Sequence, residues 1–155
     1  MALGWFNNLA EAKTYFTGER LITTSWDALA NDALRTKAVL NGYNRLYYDP
    51  RYSLPTYAAA TAAQLVILKK VNGEMAYYLA QHLEDEDRRK GLQAQAVTKA
   101  GIVKEEYNKD DLMTLPVPPF VHSMLEDEGY LTEKAFELVE IGRDEDEGIS
   151  EDVVD

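Results

Sequence analysis

The sequence predicts a mainly α-helical protein: a compact bundle of four to five helices with one β-hairpin insert and an acidic C-terminal tail. Three observations lead there. Apolar residues recur at steps of three and four over most of the 155 residues. One stretch, "LQAQAVTKAGIVKEEY" at 92–107, alternates apolar and polar residues instead. The whole net charge of −11 sits in residues 126–155, where thirteen Asp or Glu face only Lys134 and Arg143; the first 125 residues hold fourteen of each sign. The length suits one core. We therefore expect a helical domain over 1–130, carrying the hairpin at about 92–107, and an acidic helix and tail over 131–155.

The first helix is expected from about Asn8 to Phe16. Asn7 or Asn8 can cap it, because a short amide accepts from the free amides of the first turn. Leu9, Ala12, Tyr15 and Phe16 make its buried side, and "TGER" breaks it at Gly18. Thr24 or Ser25 can cap a second helical region running from Trp26 through Leu29, Ala33, Leu34, Ala38, Val39, Tyr43 and Leu46 to Tyr47. A turn near "NDA" divides it into a short and a long piece. "DPRYSLP" ends it, since Pro50 and Pro55 disfavour helix in the residue before each.

The third helix is expected to begin between Tyr57 and Thr61 and to run to about Leu83. Its stripe is Leu65, Leu68, Met75, Ala76, Leu79 and Leu83. Asn72-Gly73 is a local difficulty there, since glycine costs about 1 kcal/mol against alanine inside a helix; a hairpin turn is the alternative, but the flanks keep helical spacing. "EDEDRRKG" then reads as a charged surface linker. After the hairpin, "LPVPPFVHSMLEDEGY" opens another helix, with Pro118 or Pro119 in its first turn. Phe120, Val121, Met124 and Leu125 form its apolar face, and Gly129 stops it. A last helix is expected from Thr132 to about Ile141.

Composition restricts the chemistry. There are no cysteines, so disulfides, thiolate metal sites and a cysteine nucleophile are excluded. No signal peptide or membrane-length apolar run is expected. A neutral body with an acidic end argues against binding nucleic acid by phosphate neutralisation. The tail reads either as a solvated end or as an arm that docks on a basic partner. Phosphate-cradling loops, dinucleotide fingerprints, nucleophile elbows and His-Glu-x-x-His are all missing. His82 reads as a residue near a helix C-terminus, where the dipole favours it, and His122 as packing or interface. "DEDEGISEDVVD" starts like a calcium loop at Asp144 but puts Gly148 and Ile149 where a ligand and the obligatory glycine belong. The expectation is no enzyme, no cofactor and no metal.

Two features point to contacts with other proteins. Tyr47, Tyr48, Tyr52 and Tyr57 surround "DPRYSLP", and such rings serve either as interface anchors or as core edges. The hairpin turns at or near Gly101. Two strands alone are marginal in water, and their open edges invite pairing with a neighbour. Ala94, Ala96, Val97, Gly101, Ile102, Val103 and Tyr107 are thus the subunit-interface candidates.

The order of "NLAEAKTYF", "SWDAL", "KAVLNGYNRLYYDPRYSLP", "LKKVNGEMAYYLAQHL", "AVTKAGIVKEEY" and "LPVPPFVHSML" resembles the head-tail connector (adaptor, or head-completion) proteins of long-tailed bacteriophages, over roughly residues 8–130. The resemblance implies a virion neck protein, assembled in the host cytoplasm as a dodecameric ring. Such a ring joins capsid to tail beneath the portal protein, meets a tail-side neck or terminator protein, and extends the DNA channel. DNA passes through without specific binding, and the ring helps retain the genome. Relatives commonly reach the portal with their C-terminal segment, which makes Phe136, Leu138, Ile141, Asp144, Glu145, Asp146 and Glu147 portal-docking candidates here. The long acidic end departs from the family pattern. Two other function classes remain open: a single-stranded nucleic-acid-binding module, and a small acidic regulatory protein that mimics DNA.

Overall fold

The computed structural model describes residues 2–94, 99–100, 105–106 and 116–132, with side chains described for 2–84 and 116–132. The fold is mainly helical. Its elements are α1 (Leu9–Gly18), α2 (Thr24–Asp27), α3 (Asp32–Tyr47), α4 (Ala62–Ala94), β1 (Lys99–Ala100), β2 (Glu105–Glu106) and α5 (Pro119–Asp127). Among the described residues no helix is long and apolar enough to cross a membrane.

Local chemistry explains most of the boundaries. Asn8 Oδ1 accepts from the Glu11 amide at 3.0 Å and starts α1. Asn31 does the same for the Leu34 amide and starts α3. Thr23, and not Thr24 or Ser25, stands at the cap of α2, and its side chain makes no cap hydrogen bond; its hydroxyl donates to the Asp27 carboxylate instead. Before α4, the Thr61 amide donates to Gln64 Oε1 and the Gln64 amide to Thr61 Oγ1, a reciprocal capping box. Pro119 opens α5, and Gly129, at φ 73°, takes the left-handed turn after it.

Helix α4 is the axis of the molecule. One side of it, with Leu68, Val71, Met75 and Leu79, packs with Trp5, Leu46, Tyr52, Val121, Leu125 and Tyr130. Another side, with Ala76 and Tyr77, packs with Phe6, Ala12, Phe16, Trp26 and Val39. The helix is continuous through Asn72-Gly73. A Cβ at Gly73 would lie 2.6 Å from Tyr15 Cδ1, so glycine is what lets the Tyr15 ring lie on the helix. At Gly42 of α3 a Cβ would lie 2.9 Å from the Ala76 backbone nitrogen. These two glycines set how closely α1 and α3 approach α4.

Several expectations need correction. Residues 84–91 are helix, not linker: α4 continues to Ala94. The sequence carries the reason. Glu84 and Arg88, Asp85 and Arg89, and Glu86 and Lys90 are acid–base pairs at i, i+4, the acid leading, which favours helix. His82 therefore sits well inside α4, away from its C-terminal end, with its ring 4.9 Å from Tyr78. Ala33 and Leu34 are exposed on α3, and Phe120 is 63 % exposed on α5; these three positions face away from the core, although Val121 beside Phe120 is buried in it. The stretch expected as hairpin over 92–107 is helix at its start, where Leu92, Gln93 and Ala94 belong to α4. What the described residues show is one antiparallel pairing, Lys99 with Glu106 and Ala100 with Glu105. The helix expected over Thr132 to about Ile141 lies, after Thr132, outside the described residues.

The close crossings predict opposite effects for three alanine substitutions. Gly42→Ala and Gly73→Ala each gain about 1 kcal/mol of helix propensity. They lose more to overpacking, about 1–3 kcal/mol, and Gly42 loses most because its neighbour is backbone. Gly18→Ala, with nothing within 4 Å of its Cβ position, is expected neutral or stabilising by up to about 1 kcal/mol. Urea denaturation midpoints of the three variants check this ordering.

Candidate functional site

The interface candidates read from the sequence fall at the edge of the description. Ala94 is the last residue of α4. Ala96, Val97, Gly101, Ile102, Val103 and Tyr107 lie outside the described residues, as do Phe136, Leu138, Ile141, Asp144, Glu145, Asp146 and Glu147. The described body nevertheless presents a distinct surface around the tyrosine-rich turn after α3.

That turn is built from its own polar residues. Asp49 is buried, and its Oδ1 accepts from the Arg51 amide at 3.0 Å and from Arg51 Nε at 2.9 Å, while Oδ2 accepts from an Arg51 guanidinium nitrogen at 2.6 Å. The hydrogen bonds from Arg51 to Asp49 raise the guanidinium pKa further above its usual range. The next residues are strapped to the body. The Ser53 amide donates to the Tyr130 carbonyl and the Thr132 amide to the Arg51 carbonyl, both at 2.8 Å. Trp5 Nε1 donates to the Pro55 carbonyl at 2.8 Å. The Tyr52 phenol and His122 Nδ1 are joined by a 2.8 Å hydrogen bond. His122 is thus a packing residue that ties α5 to the turn.

The tyrosines divide by role. Tyr52 is core, and burial raises its phenol pKa. Tyr43 and Tyr47 stack with centroids 5.1 Å apart, and Tyr47 meets Tyr48 edge-on at 5.2 Å. Tyr48 is 75 % exposed. Burial raises the Tyr43 phenol, and the neighbouring Tyr47 and Tyr48 add to it. Beside this ladder lies an open groove of about 360 Å³, lined by Leu40, Tyr43, Asn44, Thr56, Tyr57 and Ala58, with Ala2 and Gly4 completing it. None of its lining residues carries a charge.

A second groove, about 270 Å³, lies between α1 and α4 and is lined by Glu11, Tyr15, Glu19, Val66, Lys69 and Lys70, with two further residues. Its charges are matched. Lys69 bonds Glu11 and Lys70 pairs with Glu19 at 3.2 Å. Burial pushes the Glu11 carboxyl up, but the bonds from Lys69 and from the Asn7 amide outweigh it and hold it below the usual range. Next to this groove the Tyr15 phenol donates to Glu74 Oε1 at 2.6 Å, and Arg20 pairs with Glu74 while its guanidinium lies 3.5 Å over the Tyr77 ring. Glu74 is therefore engaged on both oxygens and is not poised to take a proton from a substrate. Among the described residues no cluster of His, Asp or Glu is arranged to hold a metal ion.

Sequence reasoning missed Trp5, Asp49, Arg20 and Glu74. Trp5 precedes the first helix and has no periodic neighbours. Asp49 and Arg51 carried a usable signal, an acid and a base flanking a proline in a turn. No family model matches the chain, and neither a curated protein nor a solved structure does.

Two measurements test these constructions. Asp49→Ala leaves the Arg51 amide and guanidinium without their acceptor and should cost about 2 kcal/mol, whereas Tyr48→Ala should be within about 0.5 kcal/mol of wild type. The second concerns pH. Burial, and then the Glu74 carboxylate, hold the Tyr15 phenol far above its usual range. Its contribution is complete below the unfolded pKa of about 10 and is lost as pH rises above it. Denaturation midpoints should fall from pH 9 to 11, at up to about 1.4 kcal/mol per pH unit for each such phenol. Tyr15→Phe should shallow that fall.

Proposed function

We propose that this chain is a non-catalytic phage neck protein. In this reading identical subunits form a ring beneath the portal, join capsid to tail, and line a channel through which DNA passes unbound. The observation that carries the reading is the antiparallel pairing of β1 and β2 beyond a 33-residue helix. Among the described residues those strands pair only with each other. A ribbon of that size needs a neighbour to be stable, and side-by-side copies of the chain supply one.

The charge distribution agrees with this role. A body with fourteen charges of each sign in its first 125 residues has little net attraction for phosphate, as a conduit requires. The acidic segment is suited by its charge to a basic portal surface. The polar groups of the body support the reading too, because Asp49, Glu11 and Glu74 are bound to the protein's own cations.

Deleting residues 143–155 is expected to weaken portal binding and to flatten its dependence on salt. Unchanged affinity and slope would remove the tail from the interface. A structure of the assembled ring should show residues 94–107 in contact with an adjacent subunit. Salt-sensitive micromolar binding of single-stranded DNA by the isolated chain would favour a nucleic-acid-binding module instead.

A further inference from the structure

The chain contains two Asn-Gly pairs, Asn41-Gly42 in α3 and Asn72-Gly73 in α4. This dipeptide carries its own chemistry. In a free chain the glycine nitrogen gives up its proton to hydroxide and attacks the asparagine Cγ. The new N–Cγ bond closes a five-membered succinimide, the Cγ–Nδ2 bond breaks, and ammonia leaves after taking a proton from water. Water then opens the ring at either carbonyl, leaving aspartate or isoaspartate. Net, one water is consumed and one ammonia released, with no reagent beyond solvent. Glycine favours the step because it has no side chain to crowd its nitrogen and little restriction on its backbone.

Helix geometry forbids it. Ring closure needs an asparagine ψ far from the helical value of about −42°, and a glycine amide inside a helix donates to the carbonyl one turn back. Both pairs lie inside helices, so both are closed while those helices stand. The helix junction closes Asn72-Gly73 further. Asn72 is fully buried. Cβ atoms placed at Gly4 and Gly42 would lie 2.5 Å from its Nδ2 and 3.2 Å from its Oδ1, and the Tyr15 ring covers Gly73. Val71 belongs to one core cluster, Ala76 and Tyr77 to the other. Unwinding α4 here therefore ruptures both clusters, which makes opening of the site nearly equivalent to unfolding the body.

The two pairs differ in what their products do to the fold. Asn41 is exposed, so an aspartate there keeps its charge in water. An aspartate at 72 would replace a side chain whose polar atoms have no hydrogen-bond partner among the described residues. Its carboxylate would be buried without compensation, which is strongly unfavourable.

We propose that Asn72-Gly73 is a fold-gated self-modification site. It is silent while the junction is packed. Once the chain unfolds, it converts to an aspartate or isoaspartate that blocks return to the native state, so time spent unfolded becomes irreversible loss. The site is independent of the neck reading.

The full chain tests it. Trypsin separates the two pairs into peptides 38–45 and 71–88. Protein is held at mildly alkaline pH, folded or in urea, and both peptides are followed by mass spectrometry. Conversion of Asn72 should be at least about a hundredfold slower in the folded protein. Chains aged in urea are then diluted and separated into refolded and non-refolded pools. The ordinary aspartate product is read, because isoaspartate lengthens the backbone at either site. Aspartate at 41 should enter both pools, and aspartate at 72 should be depleted from the refolded pool at least about tenfold. Asn41→Asp should keep a denaturation midpoint near wild type, whereas Asn72→Asp should lower it or leave the chain unfolded. Equal conversion of Asn72 in folded and urea-held protein overturns the gate. Aspartate at 72 entering the refolded pool as readily as aspartate at 41, or Asn72→Asp matching the wild-type midpoint, overturns the block.

Discussion

The close approach at Asn72 and Gly73 is the constraint on which the rest of the structure depends. Three chain segments meet α4 within one turn. Gly42 brings α3 against the Ala76 nitrogen, the ring of Tyr15 lies on Gly73, and Gly4 lets the N-terminal segment pass over Asn72. Gly4 has φ 62°, a conformation that strains any side chain, and a Cβ there would lie 2.8 Å from Tyr43 Cβ. Steric fit holds the junction. Asn72 is fully buried, and neither of its side-chain polar atoms has a hydrogen-bond partner among the described residues. Such a group costs about 1–3 kcal/mol, which the surrounding apolar packing offsets.

From that junction the two cores diverge. Trp5 and Phe6 are adjacent in sequence but enter different clusters, one on each side of the N-terminal segment. Trp5 then reaches the Pro55 carbonyl, so the segment before α1 fastens the turn after α3. The turn in turn fastens residues 130–132 through backbone hydrogen bonds to Arg51 and Ser53. Segments about fifty and eighty residues apart in sequence are thus held by one loop, whose shape is fixed by the Asp49–Arg51 pair.

Much of this fold was legible because helix ends are local. Asn8, Pro119 and Gly129 each act within a few residues, and the division of the second helical region near Asn31 follows from one cap. The stripe Leu68, Met75, Ala76 and Leu79 predicted the buried side of α4 for the same reason. What was not legible needed partners distant in sequence. The reason for a glycine inside the helix expected through Asn72-Gly73, the Tyr15 ring resting on it, needed such a partner, and Leu34 and Phe120 fitted apolar periods that the core does not use. The extension of α4 to Ala94 is a different case. Its signal, acids four residues ahead of bases, was present but reads equally well as a polar linker. The sites proposed at the hairpin and the acidic tail rest on the sequence and on the resemblance, since Ala94 alone among them lies in the described residues.

The apolar tip after α1, Leu21 and Ile22, is exposed, yet the body of the protein holds it in place. A monomer can expose scattered hydrophobic residues without consequence, so exposure alone would not single out Leu21. Its anchoring does. Arg20 could have stayed in solvent, and taking a guanidinium partly out of water is unfavourable unless its partners compensate. Here Glu74, Tyr77 and the Ile22 carbonyl all do so, and the result fixes an apolar tip on the outside of the molecule. The same carboxylate receives the Tyr15 phenol, and the Tyr15 ring rests on Gly73. The tip is therefore tied through two residues to the central helix junction, which makes its position a property of the fold and not of a free loop.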